Sequence, residues 1–332
     1  TYELQGDAII WATGSSNFKI PVEGVESPRV LSSTEALSLT EIPKSLLIVG
    51  SGVIGVEFAY LYSALGTKVT VVELLPQILS MIDSDVVQVL KDQLVCQGVT
   101  FLNQAELKKL EPKSEGMKAH ITHEGAEKSI EADYVLIAVG RRPRTEEMNL
   151  AEAGVQLERG AIQVNEYFQS SLPTVYGIGD CNGKMMLAHA ASAQGVAAAE
   201  HALGHPPCYQ PQTISSCVYT QPEVASVGMS ELDAKKKGIS IHIGTFPLAG
   251  NGKALIENGG IGMIKIVAGS KHKEILGVQI VGPRATDLIG EAALAIRLEA
   301  TVDELISTIH GHPTVSEAVG ETAMDLDLGG IH

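Results

Sequence analysis

The residues best suited to moving protons lie near the end of the chain, in IHGHPTVSEA (309–318), where His312 and Glu317 stand five apart around Pro313. A histidine held by a carboxylate transfers protons near neutral pH, so the pair predicts general acid/base chemistry and needs something to deprotonate. A histidine beside a proline at a helix start also serves as a cap or a packed side chain, and the two residues alone leave both roles open. By themselves, His310 and His189 read as structural or peripheral.

A second constellation is Gly50-Ser51-Gly52-Val53-Ile54-Gly55, a G-x-G-x-x-G run that follows the apolar segment LLIVG and opens the helical pattern VIGVEFAYLYSALG. Alone the spacing is weak, but between a strand and a helix, with Glu73 ending the next strand KVTVVE, it is the dinucleotide fingerprint. Gly50 permits the tight turn. Gly52 lets the backbone approach a pyrophosphate at the helix N-terminus, and Gly55 allows close packing of helix on strand. A carboxylate at Glu73 accepts from a ribose 2′-hydroxyl and repels a 2′-phosphate, so NAD is favoured over NADP. Glu57, in the first helical turn, suits either the helix dipole or a place near the nicotinamide.

Two further strands end at glycine: ATG at 12–14, and GIGD at 177–180, which precedes MMLAHAA. Such ends meet nucleotides in open α/β sheets. Asp180 suits a sugar-like hydroxyl chain or a helix cap. No second G-x-G-x-x-G precedes residue 50, so a second dinucleotide site lacks its main pyrophosphate turn.

The elements that must position these groups follow from pattern. Strands at 8–14 (buried), 46–50, 68–73, 99–102 and 134–140 alternate with helices at 53–66 and about 83–97, and two shorter strand patterns fall near 117–131. This predicts a parallel α/β sheet with crossover helices. Residues 15–44, with three prolines and many serines, read as a connector. TVYGIGD (174–180) and a helix over about 187–203 repeat the pattern weakly. Pro206, Pro207 and Pro211 mark a boundary. Beyond it IGMIKIVAG and EILGVQIVG predict an antiparallel hairpin, with helices at 285–300 and 313–325, an α+β domain.

Composition excludes several classes. The net charge of −15, with Lys235-Lys236-Lys237 the nearest approach to a basic run, argues against nucleic acid. No apolar run approaches the roughly 18 residues of a membrane span. The four cysteines, Cys96, Cys181, Cys208 and Cys217, lack CxxC spacing and point to free thiols in a reducing compartment, with no metal site.

Together these segments resemble the flavoprotein disulfide reductases and, within them, the dihydrolipoamide dehydrogenase branch. The residues that carry the likeness are IIWATGS, GSGVIGVEFA with Glu73, VGRRPRT (139–145), YGIGDCNGKMMLAHAASAQG (176–195) and HGHPTVSEA, and it runs from Thr1 to about Gly330. The resemblance implies a Rossmann-like NAD-binding domain (43–140) inserted in a truncated FAD-binding domain (1–42 and 141–210), followed by an α+β dimerisation domain (211–332). It implies that Gly50, Ser51, Gly52, Val53, Ile54, Gly55, Val56, Glu57, Glu73 and Gly140 line the NAD site, joined by Leu107 from a weakly patterned strand. Thr13, Gly14, Ser15, Asp180, Met186, Leu187, Ala188 and His189 resemble the FAD contacts of this half.

His312 resembles the catalytic acid/base and Glu317 the carboxylate that orients it. The family's members are homodimers in which this histidine reaches the partner's redox disulfide. The implied reaction oxidises dihydrolipoyl groups on the carrier protein of a 2-oxoacid dehydrogenase or glycine-cleavage system, through FAD to NAD. The family's C-x4-C disulfide has no counterpart here, so Thr1 reads as the start of a truncated chain that binds NAD and dimerises but does not turn over lipoamide. The alternatives are a related disulfide or metal-ion reductase, or a non-catalytic NAD-binding dimer module. The expected place is the cytoplasm, or the mitochondrial matrix in a eukaryote.

Overall fold

The computed structural model describes residues 4–146 and 148–328. Thr1 and Gly330, where the family likeness begins and ends, lie outside the described residues. In chain order come β1 (Ile9–Trp11), β2 (Ser15–Asn17), β3 (Val30–Leu31), α1 (Ser33–Leu37), β4 (Ser45–Val49), α2 (Val53–Ala64), β5 (Lys68–Glu73), α3 (Ser84–Cys96) and β6 (Thr100–Asn103). There follow β7 (Ala105–Pro112), β8 (Met117–His123), β9 (Ala126–Ala132), β10 (Tyr134–Ile137), β11 (Arg141–Pro143), β12 (Leu157–Glu158), β13 (Ala161–Ile162), β14 (Val175–Gly177) and α4 (Ala188–Ala202). The last part holds β15 (Ser216–Val218), β16 (Glu223–Gly228), α5 (Glu231–Lys236), β17 (Ile241–Pro247), α6 (Gly252–Asn258), β18 (Met263–Gly269), β19 (Ile275–Gly282), α7 (Ala285–Arg297), α8 (Val302–Ser307) and α9 (Glu317–Leu328).

Contacts divide the chain into two compact units, one of residues 1–19 with 140–211 and one of residues 20–139 with 212–332. The expected break at 42/43 is not where the contacts divide. Residues 20–42 go with the second unit because Val30 pairs in parallel with Val135 of β10, and Leu110 donates its N–H to the Glu23 carbonyl. Nor is 15–44 only a connector: it carries β2, β3 and α1, the last opened by a Ser32/Glu35 capping box.

In the second unit a five-stranded parallel sheet runs β3-β10-β4-β5-β6. β4 is buried from Leu46 to Val49, as expected of a parallel strand covered on both faces. Helices α2 and α3 supply Val56, Phe58, Val86 and Leu90 to one core. On the other face lies the antiparallel sheet β7-β8-β9, whose alternating pattern buries Ala105, Leu107 and Leu110 against Leu47, Val49 and Val72. The sequence reading placed Leu107 on a weakly patterned strand without bounds, because Glu and Lys on the outer face of β7 mask the apolar alternation.

The antiparallel sheet β15-β16-β19-β18-β17 completes this unit. Helices α7 and α9 cover one face, while Val218, Val224 and Val281 share the core of α2 and α3, so β18 and β19 are buried almost throughout. The predicted hairpin is β18–β19, with Ile264 opposite Ile280. α9 begins at Glu317, four residues later than expected, and α7 stops at Arg297, before Glu299 takes a left-handed φ of 55°.

In the first unit β1 pairs in parallel with β14 and β2 antiparallel with β11. β1 was expected to be buried, yet Ile9 and Ile10 are 51% and 39% exposed. A two-stranded pairing covers less of their side chains than the sheet that an apolar run suggests.

Candidate functional site

The nucleotide turn is built as its glycines dictate. Gly50 has φ 99°, and a Cβ there would lie 2.5 Å from the Ala138 carbonyl oxygen. A Cβ on Gly55 would lie 2.0 Å from the Gly50 oxygen, so strand and helix meet at backbone contact. Gly52 faces open space and is the N-cap of the 12-residue helix α2, with no side chain capping its amides. Ser51 is buried and donates both its N–H and its hydroxyl to Glu73 Oε2, each at 2.7 Å. Glu73 Oε1 accepts from the Leu75 N–H at 2.8 Å. The carboxylate at the end of β5 is therefore tied to the turn at the end of β4. An open glycine, uncapped amides and a fixed carboxylate at the sugar position fit a dinucleotide.

Val53 is partly exposed, Ile54 half-buried and Val56 fully buried, so the run also serves the core. Glu57 accepts from the Tyr219 N–H at 2.9 Å. Burial pushes its carboxyl above the usual range, opposed by that hydrogen bond. Leu107 lies on the buried face of β7, within the core beneath the sheet. Gly140 falls in the first unit with φ 119°, where its carbonyl accepts from the Phe18 N–H.

The first unit gathers Thr13, Gly14, Ser15 and Asp180. The Thr13 hydroxyl donates to the Arg144 carbonyl at 2.6 Å, and Gly14, at φ 74°, has open space where a Cβ would stand. Ser15 donates its hydroxyl to the Asp180 carboxylate and accepts from Arg141 Nε at 2.7 Å. The Arg141 guanidinium also reaches the Ser15 carbonyl at 2.9 Å and Asn17 Oδ1 at 2.8 Å. Asp180 thus belongs to an Arg141–Ser15–Asp180 relay. Sequence reading missed the arginine's part, although it stands in VGRRPRT. Met186 and Leu187 are half-buried, and Ala188 and His189 are exposed at the start of α4, whose N-cap Leu187 leaves the first amides uncapped by a side chain. These groups fit a hydroxyl-bearing chain and a phosphate of a second nucleotide.

In the last loop His312 Nδ1 lies 2.9 Å from Glu317 Oε2, and the histidine side chain is 82% exposed against 20% for the glutamate. The bond orients the ring so that Nε2 is available for proton transfer. His310, by contrast, is nearly buried and pairs through Nε2 with Glu291 Oε1 at 2.7 Å. Cys181 is buried, with its thiol against the Trp11 and Ile178 carbonyls, and burial raises its pKa. Cys96, Cys181 and Cys217 are free thiols.

Residues 1–195 match the family model of the pyridine nucleotide-disulphide oxidoreductases, and residues 214–323 match the dimerisation domain of the same family. The chain belongs to the pyridine nucleotide-disulphide oxidoreductase family. Among this family's curated members, the dihydrolipoyl dehydrogenase of Geobacillus stearothermophilus is 41% identical over 324 residues, covering 97% of this chain and 68% of that protein. The Thermus scotoductus dihydrolipoyl dehydrogenase is 41% identical, covering 100% and 72%. Of solved structures, LpdA from Mycobacterium tuberculosis superposes with a TM-score of 0.88 at 30% identity, covering 96% of this chain and 70% of that one. The HOCl-induced flavoprotein disulfide reductase RclA from Escherichia coli gives 0.88 at 27% identity, covering 97% and 74%. FAD and NAD are the cofactors of the family, and the expected mixed α/β class with a dimerisation domain stands. Among the described residues no helix is long and apolar enough to cross a membrane.

Proposed function

We propose that this oxidoreductase is a dihydrolipoyl dehydrogenase that works as a homodimer. It oxidises dihydrolipoyl groups on the carrier protein of a 2-oxoacid dehydrogenase or glycine-cleavage system. The observation that carries the reading is the His312–Glu317 pair, 2.9 Å apart, with the imidazole exposed to an incoming substrate. Relatives named dihydrolipoyl dehydrogenase at 41% identity support the substrate class.

His312 donates its Nδ1–H to Glu317 and keeps Nε2 bare. Nε2 takes the proton of a substrate thiol, leaving a thiolate able to attack a disulfide, and Glu317 balances the imidazolium that forms. When bound, FAD and NAD supply the relay and the final acceptor of the electron pair. Overall the dithiol loses two electrons and two protons, which bound NAD+ would take up as a hydride while the other proton passes to solvent. Gly52 and the first amides of α2 hold the dinucleotide's pyrophosphate, and Glu73 accepts from its ribose. Asp180, fixed by Ser15 and Arg141, holds the flavin's hydroxyl chain, and Thr13, Gly14 and residues 186–189 border it.

The test is steady-state turnover of dihydrolipoamide with NAD+ by the flavin-loaded dimer joined to a segment that carries the family's C-x4-C disulfide, without which this sequence is expected not to turn over. His312→Gln is expected to lower kcat by about 10²–10⁴-fold with flavin content unchanged. Turnover within twofold of the parent overturns the assignment of His312.

A further inference from the structure

We infer that Asn251 is a positioning residue, the third member of an Asn251–Glu317–His312 chain, and that it fixes which nitrogen of His312 carries the proton. The inference rests on the proposed role of His312. Asn251 is 3% exposed and stands immediately before α6. Its Oδ1 accepts from the Ala254 N–H at 2.8 Å, capping that helix. Its Nδ2 donates to the Thr314 carbonyl at 3.0 Å and to Glu317 Oε1 at 3.3 Å.

The orientation of the amide is not arbitrary. A backbone N–H on one side and a backbone carbonyl on the other admit only one placing of its oxygen and nitrogen. Glu317 therefore meets a donor on each oxygen: Asn251 on Oε1 and His312 Nδ1 on Oε2. The Thr314 N–H adds a longer contact to Oε1 at 3.4 Å.

Glu317 has a flexible stem and stands at the start of α9, where nothing in its own rotamers holds its carboxylate toward residue 312. With Oε1 tied to a buried amide, the carboxylate plane is set, and Oε2 is presented to the imidazole. By holding the Thr314 carbonyl as well, Asn251 fixes the backbone two residues beyond His312. One side chain thus positions the carboxylate and the loop that carries the base. The neutral ring is held with its proton on Nδ1, which leaves Nε2 an acceptor. A histidine in the opposite tautomer presents an N–H to the substrate thiol and cannot take its proton.

The experiment is nitrogen-15 NMR of the flavin-loaded full chain, reading the ratio of Nδ1–H to Nε2–H in neutral His312, with Asn251→Ser and Glu317→Gln compared. Serine is a good N-cap but does not reach Glu317, so α6 keeps its start; Asn251→Asp, which also keeps the cap, serves if the serine variant unfolds. Asn251→Ser is expected to lower the ratio by about three- to tenfold, the range that one lost hydrogen bond gives. His310, held by Glu291, should keep its tautomer in every variant. A ratio unchanged by Asn251→Ser but shifted by Glu317→Gln makes Asn251 a helix cap only and overturns the inference alone. A ratio unchanged by both overturns the His312–Glu317 pairing and the inference with it.

Discussion

Lys265 is 1% exposed in the middle of β18, and its ammonium touches three carboxylates: Glu231 at 2.6 Å, Asp85 at 2.8 Å and Asp83 at 3.3 Å. Asp83 stands before α3 and also accepts from the N–H groups of Glu231 and Leu232 at the start of α5. One lysine therefore ties β18 to α5 and α3. Burial disfavours its charged form, but the hydrogen bonds it donates to Asp85 and Glu231 and the charge of Asp83 outweigh it and hold its pKa above the usual lysine value. Lys235 and Lys265 hold Glu231 below the usual carboxylate range.

Lys265→Met keeps the stem and removes the charge. The Asp83 side chain, 6% exposed, is left charged without its cation, a situation that costs about 3–5 kcal/mol. Asp85 and Glu231, at 45% and 26%, regain water, and Asp83 keeps its two amide donors, so the expected loss is near the lower end, about 3 kcal/mol. The assay is urea denaturation followed by far-UV circular dichroism across pH, with hydrogen exchange locating the loosened segments. Lysine with a raised pKa contributes fully below its unfolded value of about 10.4, and that contribution is lost as pH rises through the folded pKa. Glu231, with a lowered pKa, contributes above its unfolded value of about 4.3 and loses this as pH falls through the folded pKa. The gap between parent and variant should be widest from about pH 5 to 10 and close at both ends. A loss below about 1 kcal/mol at neutral pH refutes the reasoning.

Two further outcomes follow from the nucleotide turn. Glu73→Gln should weaken NAD binding about tenfold, one charge-assisted hydrogen bond, and narrow the preference over NADP; titration calorimetry with both nucleotides checks this, and an unchanged NAD affinity contradicts it. Glu57→Gln keeps an acceptor for the Tyr219 N–H while removing a charge that burial disfavours. A glutamate with a raised folded pKa stabilises below its unfolded value and loses this as pH rises through the folded one, so the variant should flatten that part of the stability–pH curve and be no less stable at pH 7. A steeper curve sinks this account.

Much of the second unit was legible because its signals are local. A G-x-G-x-x-G turn, a continuous apolar strand and a hairpin each announce themselves within a dozen residues. His312 and Glu317 were likewise close enough in sequence to be seen as a pair. What stayed hidden depends on partners far along the chain. Asn251 lies 66 residues from Glu317, Lys265 lies 180 from Asp85, and no pattern in either stretch specifies the other. The exposure of Ile9 and Ile10 was missed for the opposite reason: an apolar run states a preference for burial, while pairing decides how much of it is met.

The split of the first unit has a consequence for the order in which the chain can assemble. Ile9 of β1 pairs with Val175 of β14, and the residues between them include the whole stretch 20–139 of the other unit. During synthesis at about 5–20 residues per second, β1 waits roughly 8–33 s for β14, its strand partner among the described residues, to be made. Throughout that interval the apolar IIW segment is without β14 while residues 20–139 have time to fold. The nascent chain is therefore open to chaperone capture or misassociation at IIW during that interval, and slowing translation between residues 20 and 175 should lower the soluble yield.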